Sequence, residues 1–279
     1  FAAMSMKVVK ERMRTVGNIK KITKAMKMVA ASKLRKDTLR LEMGLPFCAP
    51  VMNFFDRLPA DSRTGSKMVV AMTGDKGLCG GVNSSVVKKT RKLVNDIEAA
   101  GGNASIFVLG GKGVSGLKRL YADRFAHTIE GQAAVHTSFM QASAMAERVV
   151  NHNPDKITVV YNHMISAIAF DTRVVDGQTL KGVAAIDKME ISKAIDSYSF
   201  EPDRVESWPD LHEFYYSCVL FNGLLDGLAS EQSSRMNAME NASKNAGEML
   251  EKLTLKYNRA RQAKITTELC EIISGASAL

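Results

Sequence analysis

The chain has 279 residues, 46% of them apolar but only 6% aromatic, with 16 methionines, a balance that disfavours an aromatic-rich β-sandwich and suits adaptable helix packing. No apolar run reaches the roughly 18 residues of a membrane span, because the richest window, 214–228, is broken by Asn222 and Asp226. The formal charge of +9 is concentrated: residues 1–40 hold 12 Lys or Arg against Glu11 and Asp37, and the rest of the chain holds 26 basic and 27 acidic residues.

Such a basic segment suits an acidic protein, an anionic membrane surface or nucleic acid. Nucleic acid is disfavoured, because residues 1–40 carry Phe1 as their only aromatic and base stacking needs more. Cys48, Cys79, Cys218 and Cys270 lie far apart with no CxxC, and the five histidines are scattered. Neither a zinc site nor a disulfide scaffold is indicated, and no metal is assigned.

Taken in order, residues 4–45 read as one helix with seven-residue spacing in Val9, Val16, Thr23 and Ala30, a second row at Ile19 and Met26, and a flank at Ile22 and Val29. Pro46 and Pro50 are expected to end it. A last turn is expected over 53–58, then a polar linker over 60–66.

Residues 67–200 change character: strands at 67–73, 105–109, 125–129 and 156–161 alternate with helices at 82–100, 112–121 and 138–151. An alternating run, 165–175, is expected to turn at Asp176-Gly177. This order predicts an α/β layer with a mainly parallel, Rossmann-like sheet and one antiparallel edge.

After Pro202 and Pro209 no proline follows, and a stripe runs through Leu225, Leu228, Gln232, Arg235, Met239, Ala242, Ala246, Leu250, Leu253, Tyr257 and Ala260. A period near 3.5 supports a left-handed coiled coil. The one other long helix is the N-terminal one, so the expected fold is a long antiparallel coiled coil of the two chain ends with an inserted α/β domain. The expected segments are 1–58, 67–205 and 209–279.

Two glycine motifs need weighing. Gly111, Gly113 and Gly116 match GxGxxG after a strand, as in a dinucleotide site, but Glu130 lies closer than the ribose-binding acid should. A structural strand-to-helix turn is the preferred reading, with an NAD(P)-binding enzyme as the alternative. TGDKGLCGG at 73–81 lacks the order of a phosphate loop and reads as a tight docking turn. At the C-terminus, Arg261, Gln262, Ile265, Thr266, Glu268, Leu269, Ile272 and Ile273 fall at helical spacing, and 272–279 carries no charged side chain. A smooth uncharged tip fits a sleeve-like cavity.

ITTELCEIISGASA at 265–278, ITKAMKMVAASKL at 22–34, TGDKGLCGGVN at 73–83 and SEQSSRMNAMENA at 230–242 together resemble the gamma subunit of rotary ATP synthases. The resemblance implies a noncatalytic central shaft, one copy inside a ring of three catalytic and three noncatalytic nucleotide-binding subunits. A foot domain would rest with small stalk subunits on a membrane rotor ring. It implies no cofactor on this chain, with ATP, ADP and Mg in partner subunits, and membrane contact only through partners. Carried over by residue, contacts with the ring fall on Met26, Arg261, Gln262, Thr266, Glu268 and Glu271, while Lys24, Lys27, Lys33, Arg35 and Lys36 would face acidic segments. The first residue is Phe1, as after removal of a targeting peptide or at a chain boundary. The mitochondrial inner membrane, matrix side, is therefore expected, with the bacterial cytoplasmic membrane face as the alternative. Plastid relatives carry a paired-cysteine insert; 188–208 has no cysteine, so that regulation is not expected.

Overall fold

The computed structural model describes residues 6–59, 65–132, 137–184, 191 and 193–277. The starting point at residue 4, most of the linker 60–66, part of 188–208 and the last two residues of the tip lie outside them. The described residues fall into two units, Ala31–Arg235 and Phe1–Ala30 with Met236–Leu279. Two helices, α1 (Met6–Phe55) and α6 (Arg204–Ser277), contribute to both.

Within Ala31–Arg235 the other elements are β1 (Ser66–Met72), α2 (Val82–Ala99), β2 (Asn103–Leu109), α3 (Gly111–Tyr121), β3 (Phe125–Ile129), α4 (Phe139–Asn151), β4 (Lys156–Met164), β5 (Phe170–Gln178) and α5 (Leu180–Ala184). The sheet order is β3-β2-β1-β4-β5, parallel except for the β4–β5 hairpin. The expected mainly parallel sheet with one antiparallel edge is the one observed.

The central strands are apolar at consecutive positions because both faces are covered. Met68, Val70, Phe107, Leu109, Ile157 and Val159 face a core with Ala142, Ala146 and Val149 of α4 and with Tyr215, Tyr216, Val219 and Leu220 of α6. Val69, Ala71, Ile106, Val108 and Val160 face the other core, with Val86, Val87, Val94 and Ile97 of α2 and Leu117 of α3.

Three boundaries differ from the sequence expectation. First, α1 runs through Pro46 and Pro50 to Phe55. Phe54 and Phe55 are buried there, with Phe55 stacked on Tyr215 at 4.2 Å and tilted against Trp208 at 5.9 Å. That aromatic burial offsets the backbone bonds the prolines cannot make.

Second, α6 starts at Arg204, ahead of Pro209. Asp203 receives the Arg204 N–H on its carboxylate at 2.7 Å, and its carbonyl accepts from Glu206 and Ser207. A proline six residues into a helix removes a donor whose partner still lies in the first turn.

Third, the β4–β5 turn lies at 165–169, closed by Ile165 N–H to Ala169 O at 3.1 Å, and not at Asp176-Gly177. Gly177 sits inside β5, where a Cβ would come within 2.5 Å of the Tyr216 hydroxyl. The glycine admits a buried ring; it does not make a turn.

In the unit of Phe1–Ala30 and Met236–Leu279 the two helices pair antiparallel. Lys27 Nζ donates to Glu240 at 2.6 Å, and one heptad away Gly247 lies against Lys20. Val9, Val16, Thr23 and Ala30 are all buried, as are Met239 and Ala246 opposite. The Thr23 hydroxyl is satisfied by the carbonyls of Ile19 and Lys20, so the seam tolerates it. The second row does not close: Ile19, Ile22 and Val29 are exposed and Met26 is half-buried. A pair of helices covers one narrow stripe, so the flanking apolar residues are left outside it.

Candidate functional site

The GxGxxG turn has no room for a dinucleotide phosphate. Gly110, at φ +91°, precedes α3, and the Asp75 carboxylate accepts from the N–H groups of Gly111 and Gly131, both at 3.0 Å. The positive end of the helix is already met by an internal anion. A Cβ at Gly113 would lie 2.6 Å from the Thr73 hydroxyl and 2.8 Å from Val108, and one at Gly116 2.9 Å from Val87. These glycines let α3 sit close on β2 and α2, so the NAD(P)-binding alternative at Gly111, Gly113 and Gly116 is not supported.

The second motif is a docking turn. Thr73 donates its hydroxyl to Leu109 O, and Gly74 N–H reaches Asn83 at 2.8 Å. Leu78 and Gly80 take the left-handed conformation, at φ +60° and +62°. The turn is held on α6: Ser234 donates to Cys79 O at 2.7 Å, and Arg235 reaches Gly77 O at 3.4 Å while pairing with Glu231 and Gln232. Burial raises the Cys79 thiol pKa, with the Glu231 carboxylate adding to the effect. That keeps it protonated and unfit as a nucleophile. Nearby, Asp226 of α6 is buried and takes His163 Nδ1 at 2.5 Å and the Met164 N–H at 2.8 Å. Sequence reasoning missed Asp75 and Asp226, whose partners come from distant segments, and also the Glu231–Arg235 pair, which its i,i+4 spacing signals.

The residues assigned to partner contacts are mostly open. In Ala31–Arg235, Lys33, Arg35 and Lys36 are exposed, and Lys33 and Lys36 line a cleft with Arg40, Lys76 and Arg235. In the other unit Lys24 is exposed and Met26 half-buried, while Lys27 is held by Glu240.

Arg261, Gln262, Thr266, Glu268 and Glu271 are exposed on α6, with Thr266 bonded back to Gln262 O and Glu268 3.4 Å from Lys264. The pairing register explains this. Lys20 is level with Gly247, so two heptads further Met6, the first described residue of α1, comes level with Arg261. Beyond it, 262–277 is exposed at every position, including Ile265, Leu269, Ile272 and Ile273. The end of this bare helix, 272–277, is exposed, small and apolar, without a charged side chain.

Comparison with known proteins agrees. The family model described as ATP synthase matches residues 5–279. The mitochondrial ATP synthase subunit gamma of Arabidopsis thaliana is 40% identical over 284 residues, covering 99% of this chain and 86% of that one. The ATP synthase gamma chain of Pelagibacter ubique is 36% identical over 291 residues, covering 97% and 98%. A chain from the cryo-EM structure of the Tetrahymena thermophila mitochondrial ATP synthase, central stalk and c-ring, aligns with a TM-score of 0.63 and 32% identity over 80% of this chain and 99% of that one. With these relatives matched along nearly the full chain, and with the two-helix unit and α/β unit both in place, the chain belongs to the ATP synthase gamma-chain family.

Proposed function

We propose that this chain is a noncatalytic central-stalk rotor subunit. It couples rotation driven by proton flow to successive conformations of nucleotide-binding subunits around it. Residues 1–58 and 209–279 supply the shaft helices and 67–205 the foot. The observation that carries this reading is the exposed run of α6 beyond Arg261, uncharged past Glu271. Each rotor angle favours a different conformation of each neighbouring site through differential contact, and the chain itself need form no covalent bond. In this reading Arg261, Gln262, Thr266, Glu268 and Glu271, with Met26, meet the ring, and Lys24, Lys27, Lys33, Arg35 and Lys36 meet its acidic segments. The small stalk subunits and membrane rotor ring meet the foot. The relatives include mitochondrial and bacterial chains, and the mitochondrial inner membrane, matrix side, is the location proposed.

Met26→Lys places a charge on a half-buried position of the basic helix. Membranes carrying the complex with this variant are expected to hydrolyse ATP while moving fewer protons per ATP. Unchanged pumping per ATP would count against the coupling role. Mass measurement of the complex purified with this chain is expected to show one copy with three each of two larger nucleotide-binding subunits; any other ratio overturns the assembly.

A further inference from the structure

The five histidines are scattered in sequence, but the fold of Ala31–Arg235 sets two of them side by side. His127 of β3 and His152, which caps the C-terminal end of α4, lie with ring centroids 4.9 Å apart and planes inclined at 53°. Both are exposed, and neither makes a hydrogen bond among the described residues, so their ring nitrogens are open to a ligand. Each ring is carried by fixed backbone. His127 stands opposite Phe107 in the parallel ladder of β2 and β3, and its ring crosses the buried Phe107 ring at 75° with centroids 5.8 Å apart. Beyond His152, Asn153 takes the left-handed conformation at φ +50° and donates its N–H to Val150 O at 2.8 Å. The Asn153 carbonyl in turn accepts from the Lys181 ammonium at 2.8 Å.

We propose that His127 and His152 form a two-point site for a divalent transition-metal ion that prefers imidazole, of the zinc, copper or nickel type. A metal bonded to imidazole nitrogen at about 2.0–2.1 Å lies about 3.2 Å from each ring centre. Centres 4.9 Å apart then subtend about 100° at the metal, between the square and tetrahedral angles that such ions adopt. The place also favours a cation, because His152 stands at the negative end of the 13-residue helix α4, where the last carbonyls lack helical partners. Arg148, in the last turn of α4, is exposed, so solvent screens its opposing charge. Among the described residues no group of three His, Cys, Asp or Glu gathers, so water completes the coordination shell. The ion clips β3, an edge strand of the sheet, to the end of α4. This proposal stands whether or not the rotor reading does.

The test uses the full chain carrying Cys270→Ser, which removes its exposed thiol, titrated with zinc chloride near neutral pH. Calorimetry is expected to show one saturable zinc ion per chain, undisturbed by excess magnesium, which prefers oxygen ligands. His127→Gln and His152→Gln, both at exposed positions, should each weaken binding about tenfold or more. The double variant should bind about as weakly as either single one, because the chelate needs both rings. Zinc at about 100 times its dissociation constant should raise the melting temperature by about 3 °C or more, a rise that both variants lose. With both histidines native, saturating zinc should also shield His127 and His152 together from diethyl pyrocarbonate, a readout that does not depend on how the variants fold. Absence of saturable zinc binding overturns the proposal. So does equal affinity in the variants, or modification of either ring at an unchanged rate under saturating zinc.

Discussion

Asp75 illustrates how one side chain settles what a motif does. Its carboxylate ties the start of α3 to the end of β3 through two backbone N–H groups, so Asp75→Ala leaves both without that acceptor. A loss of about 1–3 kcal/mol in urea unfolding of the chain is expected, with no nucleotide binding gained or lost by calorimetry. Gly113→Ala forces a methyl against Thr73 and Val108 and should cost about 1–3 kcal/mol by the same measurement. The buried phenols of Tyr161, Tyr215 and Tyr216 have pKa values raised by desolvation above the ordinary 10.0. Their neutral form is favoured in the fold, so the stability they contribute is fully present below pH 10 and falls as pH rises towards the folded values. Urea midpoints should therefore drop between pH 9 and pH 11, and replacing Tyr161 by Phe should make that drop shallower.

At the scale of elements, the two long helices obey a heptad stripe where they meet only each other and ignore it where a sheet intervenes. Val9, Val16, Thr23 and Ala30 were legible because a two-helix seam repeats with a fixed period. The continuation of α1 through Pro46 and Pro50 was not, because local backbone preference argues against it and only aromatic burial at Phe54 and Phe55 outweighs that preference. Pro50→Ala, at an exposed position, restores a backbone donor while loosening the unfolded chain. A net gain of about 1–2 kcal/mol in thermal unfolding is expected. Ala246→Leu enlarges a buried seam residue and should destabilise by about 1–3 kcal/mol, read from the same melts.

At the scale of the whole molecule, stability is unevenly distributed. Central strands β1 and β4 are buried on both faces, whereas 262–277 of α6 is exposed throughout. Amide exchange in the isolated chain should be fast in the latter and slower by orders of magnitude in the strands. The fast segment should become protected in the assembled complex if it is inserted there. The sequence by itself determined the element types, the mainly parallel sheet, the antiparallel pairing of the chain ends and the uncharged tip. These rest on periodicity and composition, which a linear string records. Only the tertiary structure decided that Gly177 admits Tyr216, that Asp75 fills the anion position at α3, and that Asp226 meets His163. Each depends on atoms brought together from distant segments, and the free energy that favours those meetings comes from burial shared across the fold, which no local window contains.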